Sequence, residues 1–283
     1  VTPLDFFTDL FNPQLAFLPR ALAMAVLAAA LCGIVGTYVV LRGMSFIGDA
    51  VSHAVFPGLA TAFVIGADLA LGGIIAGLVT SLAVAVVSQL RRLREDSVIG
   101  VFLVAAFGLG IVIISRAPGY AGSLTDFLFG SLTGVPVRDL VIVAAVGAFI
   151  AVLLAVFHQQ LVAVSLDREF AAVQGIRVFW IDMLLYVCVT LAVVFSIQTV
   201  GNILVLGLLI TPAAAARMLT ERLSVMFILA PTIGAVSAFI GLWLSWTLDT
   251  PVGGTIVLVL TAVFCAAWLA APRHGLIFRL RSA

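Results

Sequence analysis

The sequence predicts an all-α fold, a polytopic bundle of eight or nine helices that cross a membrane. Three observations predict it. Hydrophobic residues make up 64% of the 283 positions and charged residues only 10%, against about 25% charged in a soluble globular domain. Apolar runs near the roughly 20 residues needed to cross a bilayer core recur along the chain. When those runs are threaded back and forth, the arginines gather on one side. So little charge cannot cover a water-soluble surface, so lipid has to be the solvent of the outer face.

The first twenty residues form an amphipathic N-terminal segment. Phe6, Phe7, Leu10, Phe11 and Leu15 are placed to face lipid, with Asp5, Asp9 and Asn12 towards water. That pattern suits a helix lying on the membrane surface; an ordered loop without function fits it equally. The stretch Val1-Thr2-Pro3-Leu4-Asp5 lacks the basic start of a signal peptide, so the first span is expected to act as its own insertion signal. Residues 21–283 are then expected to form one transmembrane domain. Candidate spans fall at 21–41, 46–66, 70–90, 98–115, 139–157, 178–198, 201–214, 225–248 and 252–271. The seventh is short and follows its neighbour closely, which suits a re-entrant or partial helix and leaves the count at eight or nine.

Arginine placement orients the threading. With the N-terminus outside, the inner segments hold Arg42, Arg91, Arg92, Arg94, Arg168, Arg177, Arg217, Arg222, Arg273, Arg279 and Arg281. The outer segments hold Arg20, Arg116 and Arg138. A nine-span chain is therefore expected to run N-out, C-in. The net charge of +1 and the lack of a basic run give no footprint for nucleic acid. Cys32, Cys188 and Cys265 each sit in an apolar run with no CxxC spacing and read as small packing residues.

Ionisable residues within spans are costly and mark pathways. The clearest group lies in Gly48-Asp49-Ala50-Val51-Ser52-His53-Ala54-Val55-Phe56-Pro57-Gly58. Asp49 and His53 are four apart and share a helix face, with Ser52 beside them. A carboxylate and an imidazole form a sensible partial ligand set for Zn²⁺, Mn²⁺ or Fe²⁺. Pro57 removes the hydrogen bond to the carbonyl of His53, leaving an oxygen next to the imidazole. A second reading stands beside this one: Asp49 as a helix cap and His53 as a buried hydrogen-bonding residue. Two ligands from one chain are incomplete; a symmetric dimer with this face on its axis would supply four. Asp182 and Asn202 are further candidate pathway residues, with packing or capping as the alternative. Asp68 and Asp249, at span ends, and His158 and His274, at interfaces, read as solvated. The outer loop 116–138, with Tyr120, Asp126, Phe127 and Phe129, suits either partner docking or membrane anchoring.

The chain contains no Lys, so it has no P-loop, whose lysine holds the phosphates. Energy must come from another subunit or an ion gradient. Thr211-Pro212-Ala213-Ala214-Ala215-Ala216-Arg217-Met218-Leu219-Thr220-Glu221-Arg222-Leu223 reads as a short inner helix opened by proline, with a polar face at Arg217, Glu221 and Arg222. Such a helix fits a groove on another protein; a helix end with interfacial arginines is the plainer alternative.

These segments together resemble the permease family of bacterial zinc and manganese ABC importers. The likeness runs through the Gly48–Gly58 motif, Glu95-Asp96-Ser97-Val98-Ile99-Gly100, Leu128-Phe129-Gly130 and Leu166-Asp167-Arg168-Glu169-Phe170-Ala171. It continues in Val200-Gly201-Asn202-Ile203-Leu204-Val205, Thr211-Pro212-Ala213-Ala214 and Asp249-Thr250-Pro251-Val252-Gly253. The resemblance implies a fold similar to the cobalamin and iron-chelate importers and a permease domain over 21–283. It implies a homodimer in the bacterial cytoplasmic membrane, two cytoplasmic ATPase subunits that bind the ATP, and an extracytoplasmic metal-binding protein. Zn²⁺ or Mn²⁺, or iron, would be cargo rather than a resident cofactor, and the chain itself would not be an enzyme. Asp49 and His53 match the positions that handle the ion, with Ser52 and Pro57 beside them. Thr211, Pro212, Ala213, Ala214, Arg217, Leu219, Glu221 and Arg222 match the coupling helix. Against this stand a chelate or cobalamin importer, a proton-driven transporter using Asp49 or His53 as the relay, and a non-transporting scaffold.

Overall fold

The computed structural model describes residues 5–44, 46–89, 93, 95–115 and 134–271. Arg91, Arg92, Arg94, Arg116, Arg273, His274, Arg279 and Arg281 lie outside the described residues, as do Tyr120, Asp126 and the Phe127–Gly130 stretch. Among the described residues every regular element is helical. In lipid no water satisfies the backbone, so each apolar run closes its own hydrogen bonds as a helix.

A short helix α1 (Asp5–Asp9) and a 3₁₀ turn (Pro13–Leu15) precede α2 (Phe17–Arg42), α3 (Ile47–Ile65), α4 (Leu69–Ser88) and α5 (Glu95–Ile114). Then come α6 (Val137–Val156), the short pair α7 (His158–Leu166) and α8 (Arg168–Val173), and α9 (Val178–Val200). The chain closes with α10 (Asn202–Leu219), α11 (Leu223–Leu248) and α12 (Val252–Ala270). Nine of these, α2 to α6 and α9 to α12, are long and apolar enough to cross a membrane. They coincide with the nine expected spans to within a few residues.

Local chemistry sets the breaks. Gly43 (φ 68°) ends α2, with its N–H on Val40 O at 3.2 Å and that of Met44 on Val39 O at 3.1 Å. Gly66 ends α3 in the same left-handed conformation, which costs glycine nothing. Asp68 caps α4 by accepting from the Leu71 N–H at 3.0 Å, and Asp167 caps α8 by accepting from Glu169 and Phe170.

The chain divides into two compact units interleaved along the sequence. The first comprises residues 1–37, 125–147 and 198–283. Here α10, α11 and α12 pack on one another, and α2 meets α11 through small residues. A Cβ on Gly33 would stand 2.7 Å from Pro231 Cα, and one on Gly234 would stand 3.1 Å from Ala29 O. The N-terminal segment joins this unit. Phe6, expected to face lipid, is fully buried with Leu18 and Leu242 and stands edge-on to Phe239 at 6.2 Å. Trp246 Nε1 donates to Asp9 Oδ2 at 3.1 Å. Of that row Phe7 and Phe11 are exposed, at 48% and 84%. An amphipathic pattern marks an apolar face but does not say whether lipid or another helix covers it.

The seventh span also differs from expectation. Instead of a partial helix followed by a separate one opened by Pro212, α10 runs unbroken for 18 residues with Pro212 inside it. At 1.5 Å per residue that is about 27 Å, close to the bilayer core. The proline removes one bond, to Leu208 O, while Ala213 to Ala216 carry the helix onwards.

The second unit comprises residues 38–124 and 148–197. Its hub is α3, packed on α4 and α5. At the α3–α4 crossing Gly58 faces Gly72, and a Cβ on Gly72 would meet Gly58 O at 2.5 Å and Ala62 Cβ at 2.7 Å. Gly58/Ala62 and Gly72/Ala76 are small residues four apart, the spacing that brings membrane helices together. On α5, Gly110 leaves room for Phe56 and Pro57, whose Cε1 and Cδ would lie 3.1 and 3.3 Å from an added Cβ. Across α4 and α9 the hydroxyls of Ser81 and Thr190 bond at 2.5 Å.

Replacing Gly72 with Val should lower unfolding stability by about 1–3 kcal/mol through overpacking. Gly100→Ala, where nothing lies within 4 Å of a Cβ, should be neutral or raise stability by up to about 1 kcal/mol. Thermal unfolding of the purified protein in detergent checks both.

Candidate functional site

The Gly48–Gly58 motif forms the first three turns of α3, one of the more enclosed helices: 61% of its apolar window is buried, against 17% in α5, α6 and α12. One helical turn brings Asp49 Oδ1 to 3.3 Å from His53 Nε2. The two side chains remain 34% and 25% exposed, so a ligand can reach both. The His53 ring stands edge-on to Phe107 of α5, with centroids 5.0 Å apart at 75°, and Phe56 lies 6.4 Å from Phe107 on the same side. An aromatic wall therefore fixes the imidazole, and the Gly110 notch fixes the wall.

Ser52 is fully buried and donates to Asp49 O at 2.9 Å, so its hydroxyl belongs to the helix. Pro57 lies inside α3 and leaves the His53 carbonyl without its usual helical donor. The Pro57 carbonyl accepts instead from Thr61 Oγ1 at 2.7 Å. The face thus presents one carboxylate, one imidazole and one backbone oxygen. Among the described residues no group of three His, Cys, Asp or Glu side chains converges.

Asp182 stands apart from that pair in a closed arrangement. Its Oδ1 accepts from Arg42 Nη1 at 2.6 Å and its Oδ2 from Arg168 Nη2 at 2.5 Å. Arg42 Nε donates to Ser165 Oγ at 3.1 Å. The Arg42 and Asp182 side chains are 5% and 4% exposed. With both oxygens held by guanidinium groups and the side chain 4% exposed, Asp182 is closed to an arriving cation in this state; it ties α2, α8 and α9 together. All three segments lie on the side that the arginine count puts inside, and the Asp9–Trp246 contact joins two segments that it puts outside.

Asn202 opens α10, is 3% exposed, and its Oδ1 has no hydrogen-bond partner. Thr211, Pro212, Ala213 and Ala214 lie within α10, with Pro212 and Ala213 buried. Arg217, Leu219, Glu221 and Arg222 are exposed around the α10–α11 turn. His158, expected to be solvated, bonds through Nδ1 to the Tyr38 hydroxyl at 2.8 Å. A tyrosine 120 positions away leaves no local signal for that contact. Phe107 and Arg42 are likewise site residues that spacing alone does not reveal.

Residues 14–271 match the ABC 3 transport family. The manganese transport system membrane protein MntC of Halalkalibacterium halodurans is 40% identical over 276 residues, 98% of this chain and 94% of that one. Other relatives at 33–34% identity are named for iron or manganese transport. PsaBC from Streptococcus pneumoniae, solved in complex with Fab, is similar with a TM-score of 0.85 at 34% identity, over 99% of this chain and 100% of that chain. A metal-chelate type ABC transporter solved in an inward-facing conformation matches with a TM-score of 0.67 over 88% of this chain and 84% of that one; at 19% identity it shows the fold alone.

Asp182→Ala should destabilise the protein by about 3–5 kcal/mol, because it strands a buried guanidinium; thermal unfolding measures this. In the same assay Mn²⁺ should raise the Tm of the unsubstituted protein by mass action. Asp49→Asn and His53→Ala should each remove most of that rise while leaving the metal-free Tm within a few degrees.

Proposed function

The chain belongs to the ABC 3 transport family, and from that premise we propose that it forms the membrane passage through which an ATP-driven importer moves Mn²⁺. It is the permease subunit of an ABC metal importer, a transport component rather than an enzyme, and a multi-pass protein of the cytoplasmic membrane. The observation that carries the cargo assignment is the Asp49–His53 pair, 3.3 Å apart and accessible on the largely buried first three turns of α3. One nitrogen and one carboxylate oxygen suit Mn²⁺, Fe²⁺ and Zn²⁺ alike; the names of the relatives favour Mn²⁺ over Zn²⁺. A large chelate would need a wide cavity and no intramembrane ligand.

The mechanism follows from the partial ligand set. Two copies of the chain with α3 on a common axis bring two carboxylates and two imidazoles to one ion. An extracytoplasmic binding protein releases Mn²⁺ to that axis. His53 ligates as neutral imidazole, held by Phe107, and Asp49 supplies negative charge. A chain without Lys cannot form a P-loop, so a cytoplasmic ATPase drives the cycle, two copies for two permeases. The exposed Arg217, Leu219, Glu221 and Arg222 around the α10–α11 turn receive its movement. Because α10 is continuous, displacement there is passed to a membrane-length helix instead of being absorbed at a hinge.

Proteoliposomes holding this chain with its ATPase and binding protein test the reading, with Mn²⁺, Fe²⁺ and Zn²⁺ offered separately. ATP-dependent Mn²⁺ accumulation is expected, and His53→Ala should lower it at least tenfold while the subunits still co-purify. Accumulation of another ion replaces the cargo. Uptake driven by a proton gradient without ATP overturns the importer and makes the pair a proton relay.

A further inference from the structure

Two segments singled out in the sequence, Glu95–Gly100 and Leu166–Ala171, have no part in the passage described above. They meet at one polar cavity of about 480 Å³ in the second unit. Its lining comprises Arg42 and Gly43 at the end of α2, Asp96 in the first turn of α5, Val164, Ser165 and Leu166 at the end of α7, and Arg168.

Arg42 is only partly satisfied. Nη1 is held by Asp182 and Nε by Ser165, while Nη2 is buried with no partner. On the same cavity Asp96 Oδ1 is also buried with no partner. Leaving a buried polar group unpaired costs about 1–3 kcal/mol, and more when it is charged. Here a donor and an acceptor of opposite charge are stranded on the walls of one space, and no ion pair joins them among the described residues.

Electrostatics narrows what the space is for. A transported divalent cation would face two guanidinium groups, so the cavity does not serve as its exit. A bound anion would face Asp96. The groups complementary to Arg42 Nη2 and Asp96 Oδ1 are each other. Their anchoring is unequal. Arg42 is pinned by two side-chain bonds at the end of α2, whereas Asp96 Oδ1, in the first turn of α5, is held by none. If either side moves, it is that first turn.

We propose that Arg42 and Asp96 are a state-dependent latch: open in this structure, and closed as a direct ion pair when the first turn of α5 moves over the α7–α8 corner. The proposal rests on the reading that an ATPase drives the chain from its arginine-rich side. Asp182 then acts as a positioning residue, keeping Arg42 aimed at the cavity in both states.

The test uses the whole complex in lipid nanodiscs and proteoliposomes, with Cys32, Cys188 and Cys265 replaced by Ala. Ser97→Cys, next to Asp96 in the chain, and Leu166→Cys, on the cavity wall, leave Arg42, Asp96 and Ser165 intact. Disulfide formation between them should differ at least threefold between the nucleotide-free and vanadate-trapped complex. Asp96→Asn should abolish that difference and lower ATP-driven uptake at least tenfold with assembly unchanged, and Asp96→Glu should keep half of the uptake or more. Equal crosslinking in both nucleotide states, as for a space that only holds water, overturns the latch. So does Asp96→Asn uptake within twofold of the unsubstituted complex. Crosslinking needs no metal, so an unsubstituted complex that fails to accumulate Mn²⁺ counts against the cargo reading and leaves the latch standing.

Discussion

A charge removed from water needs a partner, and in a chain that is 10% charged this constraint decides where each ionisable group can stand. The second unit meets it in two ways. At Asp182 two arginines close over one carboxylate and water is almost excluded. At Asp49 and His53 one imidazole faces one carboxylate at 3.3 Å, and both remain a quarter to a third exposed. The first arrangement fixes helices. The second leaves both groups accessible, as the proposed reading requires of a site whose cargo arrives and departs.

Packing makes the open pair possible. Lipid tails are as apolar as leucine, so helices in a membrane gain little from burying apolar surface and depend on close contact instead. The α3–α4 crossing at Gly58 and Gly72 supplies that contact, and the notch at Gly110 seats Phe56 and Pro57 against α5. Phe107, from the same helix, then sets the face of the His53 ring. Gly58, Gly72 and Gly110 thus let α3 be gripped from two sides, which narrows the orientations of a partly exposed imidazole.

What could be read from the sequence follows from how far each signal reaches. Spans were legible because a run of twenty apolar residues is a local property. The Asp49–His53 pair was legible because both lie within one helical turn. The fate of α10 was not: a proline before four alanines reads equally as a first turn or as an interior position, and only neighbouring helices decide. Phe6 was misread because its pattern gives a direction and not an occupant. His158 and Asp182 owe their roles to Tyr38 and Arg42, more than a hundred positions away. Pairing at that range leaves no trace in spacing.

The partial ligand set is itself a mechanistic argument. A closed four-ligand site on one chain would hold a metal as structural zinc sites do, with a free energy that contributes to folding. A carrier with such a site would bind its cargo and stop. Under the proposed reading, ligands split between two copies would make affinity depend on how the two α3 helices stand relative to each other. A movement that separates them then weakens the site without breaking any bond within either chain. Under the proposed reading, ATP-driven movement need only change that spacing. The Arg42–Asp182–Arg168 cluster, which keeps α2, α8 and α9 fixed to one another, keeps the movement from being lost in deformation of the unit that carries the pair.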